Sequence, residues 1–249
     1  MKLHDKEIFA GRTMNKQITK LQAHTDQLVS CLLGLKEKYA FLRPMLFDGK
    51  IVKHFGSGER RRGFESIKYS LFYGCAQDIA RITLDNDKRT PSICGIITPL
   101  LINTGLLDEL CVRYSSWGYI VRETDDAELR AALESHLAEE TELRRQKFHA
   151  TFNKLIADWD AFKVKQSTDA FKIIRDKLTA HLELHLCSDD VYRITDIAKL
   201  GLKWRDLGEA IKDVEIMITA LNSIVRNAGF AMEDFDEGLE KAIQGYWAK

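Results

Sequence analysis

At 249 residues, with 45% apolar and 30% charged side chains, the chain is long enough for one large helical domain or two small ones. Lysine plus arginine equals aspartate plus glutamate at 37 each, so net charge points to no polyanionic partner, and any basic surface must be local. Three prolines in the whole chain leave room for long uninterrupted helices, because proline breaks helix interiors.

Residues 15–43 carry Ile18, Leu21, Leu28, Leu32, Leu35, Tyr39 and Leu42 at helical intervals, and Pro44 reads as a stop. The following FDGKIVKHFGSGERRRGF, with Gly56, Gly58 and Gly63, reads as a loop. A second helix over about 63–83 is expected to bury Phe64, Ile67, Leu71, Phe72, Cys75 and Ile79. Tyr69, Phe72 and Tyr73 lie at helical spacing and read as core, not as a base-stacking platform. The turn-rich LDNDKRTPS leads to a helix over 92–103, with Ser92 as its cap.

A long charged helix is expected over 124–165, with sparse apolar positions at first (Leu129, Leu133, Leu137) and dense ones later (Phe148, Phe152, Leu155, Ile156, Trp159, Phe162). Its first half should project from the core or wrap around it. Gln166-Ser167-Thr168 breaks it, and a helix over 168–185 follows, capped by Thr168 with Asp169 in the first turn. Residues 186–203 read as irregular. The helix over 204–228 has near-heptad Leu207, Ile211, Val214, Ile218, Leu221 and Val225, and Asn227-Ala228-Gly229 ends it; a short helix over 232–247 closes the chain. The architecture is therefore expected to be an all-α bundle.

The five cysteines (Cys31, Cys75, Cys94, Cys111, Cys187) form no CxxC pair, and four sit among apolar neighbours. They read as reduced core thiols, not as a zinc knuckle or disulfide framework. The opening MKLHDKEIFAGRTMNK lacks the apolar segment of a secretory leader, and no stretch approaches the ~20 apolar residues of a membrane span. A soluble, cytoplasmic protein is expected.

The chemically pointed stretch is RDKLTAH, Arg175 to His181. On a straight α-helix the six-residue offset sets Arg175 and His181 about 120° apart, so they would not share a face. Joint use needs a bent helix, another element or a second subunit. The segment resembles the R-x(4–6)-H signature of HEPN domains, in which an Asn, Asp or His commonly follows the arginine. The stretch LFYGCAQDIARITLDNDKRTPSI is similar to the early helix of the HEPN branch related to phage abortive-infection proteins, and the helix over 204–228 takes the place of that branch's closing core helix. The resemblance covers about 60–228 and implies a HEPN-like bundle over 61–230, with 1–60 as an N-terminal helical extension and 231–249 as a C-terminal helix. It also implies a homodimer with two facing motifs, a metal-independent endoribonuclease acting as a toxin or antiviral effector, no cofactor, and a small nucleotidyltransferase as antitoxin. Segments 1–60 and 120–165 exceed a minimal bundle of this kind.

The residue types suit that chemistry. Cleaving RNA without metal requires a 2′-hydroxyl to lose a proton and a 5′-oxygen to gain one, and histidine titrates near neutral pH. An always-charged, forked guanidinium stabilises the charge that grows on the phosphate. This assigns His181 to general acid/base work, Arg175 to the phosphate and Asp176 to orientation. The bland reading keeps Arg175 and Asp176 as solvated helix charges and His181 as a core or interface residue. A non-catalytic HEPN-like dimeric scaffold is the corresponding alternative function.

A metal reading competes at the same place. His181 and His185 are four apart with Glu183 between them, and His149 or Asp189 could contribute from afar; the spacing is not HExxH. The run Lys53, His54, Arg60, Arg61, Arg62 is the densest basic cluster and, with Lys177, a candidate for RNA phosphates, or else a solvated loop. Arg144, Arg145 and Lys147, offset by Glu139, Glu140 and Glu142, read as a solvated helix face.

Overall fold

The computed structural model describes residues 3–116, 126–179, 184–186, 192–194 and 197–247, with side chains over 13–116, 126–177 and 199–247. Nearly all of this is helix: α1 (Leu3–Phe47), α2 (Gly49–His54), α3 (Glu59–Leu84), α4 (Ile93–Ile102), α5 (Thr104–Ser115), α6 (Ala127–Lys163), α7 (Gln166–Ile173), a π-helical turn (Ile174–Thr179), α8 (Trp204–Arg226) and α9 (Met232–Trp247). The fold class is all-α as expected. Among the described residues the strands are β1 (Leu184–Leu186) and β2 (Tyr192–Ile194), an antiparallel pair that sets Leu184 opposite Ile194 and His185 opposite Arg193.

One contiguous hydrophobic core joins α1, α3, α4, α5, α6, α7 and α8. From α1 come Ile18, Leu21, Leu28, Leu32, Leu35 and Leu42, all at the expected helical positions. They meet α3 and α8, so this helix lies within the bundle's core from residue 18 onward. Gly208 on α8 lets that contact close, because a Cβ there would collide with the Tyr39 hydroxyl of α1. Buried Lys36 on α1 pairs with Glu215 of α8 at 2.6 Å and with Asp236 of α9 at 2.8 Å, tying three helices together.

Pro44 does not stop α1. The helix runs one more turn to Phe47, because the Pro44 carbonyl still accepts from the Asp48 N–H at 2.9 Å and only the missing proline N–H is lost. The expected loop after it contains α2, capped by Asp48, and the basic run begins α3 four residues earlier than expected. Gly56 (φ 59°) and Gly58 (φ 73°) supply the left-handed backbone of the short break between them. Along α3, Phe64, Phe72, Cys75 and Ile79 are buried as expected, but Ile67 is 57% exposed, since among the described residues no element covers that face.

Ser92 caps α4, accepting from the Gly95 N–H at 2.9 Å while its hydroxyl donates to the Asp85 carbonyl. Asn103 both ends α4 and caps α5, and the two helices meet at 104°. Among the described residues no single helix is long and apolar enough to cross a membrane. The first half of α6 has no buried residue: Leu129 and Leu143 are 50% and 61% exposed, and burial starts at Phe148 and continues through Phe152, Leu155, Trp159 and Phe162.

Thr168 does not cap α7. Its hydroxyl donates to the Phe162 carbonyl at 2.7 Å and satisfies the end of α6 instead. Trp204–Arg226 forms α8 as the heptad spacing predicts, ended by Asn227 in the left-handed region (φ 51°, ψ 43°). Cys75 and Cys111 are buried, Cys31 and Cys94 half-buried, and all four are free thiols. Burial, aided by Asp78 and opposed by Lys38, pushes the Cys75 thiol up to about 12, which keeps it protonated and unreactive.

Candidate functional site

The motif falls where α-helical winding stops. Of the helix expected over 168–185, the described residues are α-helical from Gln166 to Ile173, π-helical from Ile174 to Thr179 and strand from Leu184 to Leu186. In the π turn each N–H reaches one carbonyl further back, so the backbone widens; single π turns of this kind recur at functional sites. Phe171 and Ile174, both fully buried, hold the junction against the core, and Arg175, Asp176 and Lys177 follow on its half-buried rim.

Arg175 donates from Nε to Asp176 Oδ1 at 2.6 Å, and its Nη1 points to the Ala80 carbonyl of α3 at 3.4 Å. Ala80 lies in the second-last turn of α3, near the helix's negative end, where a cation is favoured. The guanidinium is therefore oriented by a carboxylate on one edge and by a helix end on the other. It is not fully covered: the side chain keeps 22% of its exposure, and that of Asp176 keeps 42%. An oriented, partly exposed guanidinium can accept a phosphate with little further ordering.

His181 lies outside the described residues, as do Glu183 and Asp189, and of His185 only its place in β1 is described. The straight-helix premise behind the 120° offset fails, however, because α winding ends before Arg175. Separation around a single straight helix therefore no longer argues for a second subunit. Among the described residues no group of three or more His, Cys, Asp and Glu side chains could hold a metal ion, and His149 of α6 faces the Cys111 thiol at 3.6 Å.

The basic candidates do not gather at the motif. Arg60, Arg61 and Arg62 occupy the first turn of α3, eighteen residues or more before Ala80, which is about 27 Å along the axis. Arg61 donates to the Val52 carbonyl at 3.0 Å, pairs with Glu65 at 2.6 Å and covers the Phe64 ring, so its role is to fasten α2 to α3. Arg60, Arg62 and Lys53 are exposed; Lys177, two residues after Arg175, stays beside the motif. Arg144 pairs with Glu140 at 3.0 Å on the same helix. The Ala80 carbonyl, the partner that sequence reasoning missed, is a backbone group and leaves no residue-type signal.

A helical bundle bearing an arginine-acid pair at the head of an R-x(5)-H stretch is of the HEPN type. The family model HEPN_AbiU2, described as AbiU2, matches residues 18–245, and the chain belongs to this HEPN-type abortive-infection family. The match takes in α1 from Ile18 as well as α6 and α9. No curated protein and no solved structure matches the chain.

Proposed function

We propose that this protein is a metal-independent endoribonuclease that acts as a toxin or antiviral effector in abortive infection, in the cytoplasm. The observation that carries the reading is Arg175 on a π turn, held by Asp176 at 2.6 Å and aimed across the end of α3 while still partly exposed. Membership of a HEPN-type abortive-infection family supports the same class of activity. In the reaction, a 2′-oxygen forms a bond to phosphorus and the bond from phosphorus to the 5′-oxygen breaks. His181 takes the 2′-hydroxyl proton or supplies one to the departing 5′-oxygen, as an imidazole can near neutral pH, and water exchanges the other proton. Arg175 stabilises the charge on the phosphate, and Asp176 keeps the guanidinium pointed at it. Lys177 adds a cation beside the motif. A homodimer and a nucleotidyltransferase antitoxin belong to this reading through the family resemblance.

A second reading has its own support. The bond from Arg175 to the Ala80 carbonyl also clasps the π turn onto α3, a structural role that a non-catalytic dimeric scaffold could use. One experiment separates the two: purified protein and His181→Ala are incubated with RNA in excess chelator. Cleavage by the wild type, lost in His181→Ala at unchanged helicity, supports the enzyme. A wild type inert on RNA and harmless on expression supports the scaffold, and cleavage that requires added metal contradicts the metal-independent step.

A further inference from the structure

The face of α3 that Arg175 touches continues past the motif. At about 100° per residue, Arg62, Tyr69, Tyr73 and Ala80 fall within about 20° of one line along the helix. Tyr73 lies about 10 Å and Tyr69 about 16 Å along the axis from Ala80. The expectation that Tyr69 is core is corrected here: it is 42% exposed.

Around Tyr69 the structure assembles an aromatic and cationic surface. The Tyr69 and Tyr73 rings stack at 6.2 Å with 26° between their planes. Trp204, the first residue of α8, approaches Tyr69 at 6.0 Å and rests edge-on against buried Phe72 at 4.9 Å. Lys68, held by an ion pair with Glu65, places its ammonium 5.2 Å from the Tyr69 ring and 5.7 Å from Trp204. Exposed Arg62 lies on the same face of α3, and exposed Arg205 follows Trp204 in the chain.

We propose that Tyr69, with Tyr73 and Trp204 beneath it, is a base-stacking subsite for single-stranded RNA leading to the Arg175 motif. Phe72 fixes Trp204 and Trp204 backs Tyr69, so the platform is ordered before any base arrives. A cation beside the rings and further cations on the flanks suit a strand whose bases stack while its phosphates face outward. Every base has a π face, so such a platform favours single strands over duplexes and discriminates sequence weakly. The inference rests on the ribonuclease reading for its choice of ligand.

The test uses the full-length protein with a fluorescein-labelled 12-nucleotide single-stranded RNA and the matching duplex. Binding is read by anisotropy in the His181→Ala background, and cleavage in the otherwise wild-type protein. Tyr69→Ala should weaken single-strand binding about tenfold or more without altering its salt dependence, whereas Tyr69→Phe should bind like its parent. Arg62→Ala should lower the slope of log affinity against log salt by about 0.7. Duplex binding should be weaker than single-strand binding and insensitive to Tyr69→Ala.

Equal affinity of Tyr69→Ala and its parent, in a protein whose wild type cleaves, overturns the subsite and leaves the ribonuclease standing. Tyr69-dependent binding with no cleavage by the wild type supports the subsite and removes the ribonuclease. A chain that binds no single-stranded RNA overturns the subsite outright. Tyr69 is exposed, so its replacement does not endanger the fold.

Discussion

Helix α8 and the segment from α7 through the π turn both pack on α3, yet they are built to different rules. α8 keeps α winding from Trp204 to Arg226, buries ten residues along one face, and stops at an asparagine in the left-handed region. The other segment buries Thr168, Ala170, Phe171 and Ile174, then abandons α winding at the residue before Arg175. A repeating apolar stripe is enough to specify the first. In the second, the change of winding lets the apolar face stay buried while the next three residues turn to a half-buried rim. Packing dictates a regular helix, and the departure from regularity coincides with the residues assigned to chemistry.

That contrast makes predictions that separate stability from activity. The largest effect is expected at the motif: His181→Ala should lower the cleavage rate by about 10²–10⁴-fold, with a urea midpoint close to that of the wild type. Equal activity would remove the histidine from the mechanism. In α8 the pattern should invert. Ile218 is fully buried, so Ile218→Ala should cost about 3 kcal/mol in urea denaturation, while cleavage per folded molecule stays near wild type. A drop in activity of the folded fraction would show that α8 shapes the site.

Asp176→Asn should come next. Losing a charge-assisted bond to the guanidinium should slow cleavage about tenfold, and Asp176→Glu should recover part of it; because the carboxylate is 42% exposed, stability should barely change. The smallest effect is expected away from the site and only in alkali. The folded Cys75 pKa is raised from 9.0 to about 12, so between these values the folded state holds a proton that the unfolded state has lost. Stability should be independent of this group below pH 9 and fall as pH rises from 9 toward 12, by at most about 1.4 kcal/mol per pH unit. Tyr39, raised by burial, acts in the same direction. Cys75→Ala should shallow the decline seen by circular dichroism; an unchanged profile would mean that the thiol is not the titrating group.

The sequence was most legible where apolar spacing alone decides structure. Residues of α1, the second half of α6 and α8 are buried as their periodicity requires, and Ser92 caps α4 as its residue type allows. Ends and exceptions were less legible. Pro44 reads as a stop, but tertiary burial of Leu42 and Met45 carries α1 past it. Thr168 has the residue type of a cap, yet its hydroxyl serves the preceding helix. At the candidate site, Arg175 and Asp176 stand out by type and spacing, whereas the π turn and the Ala80 carbonyl depend on contacts with α3 that no local pattern encodes. Of the routes open to joint use of Arg175 and His181, the change of winding before Arg175 removes the straight helix that favoured a second subunit, and dimerisation rests on the family resemblance.

The central claim is that the guanidinium on the π turn stabilises a phosphate during RNA cleavage. Its most direct measurement is single-turnover cleavage of RNA in excess chelator by the wild type, Arg175→Ala and Arg175→Lys, each checked for native helicity. The account predicts cleavage by the wild type and a loss of about 10²–10³-fold in Arg175→Ala. Arg175→Lys should recover only a fraction, because an ammonium cannot reproduce the forked contact. Full cleavage by Arg175→Ala would contradict it.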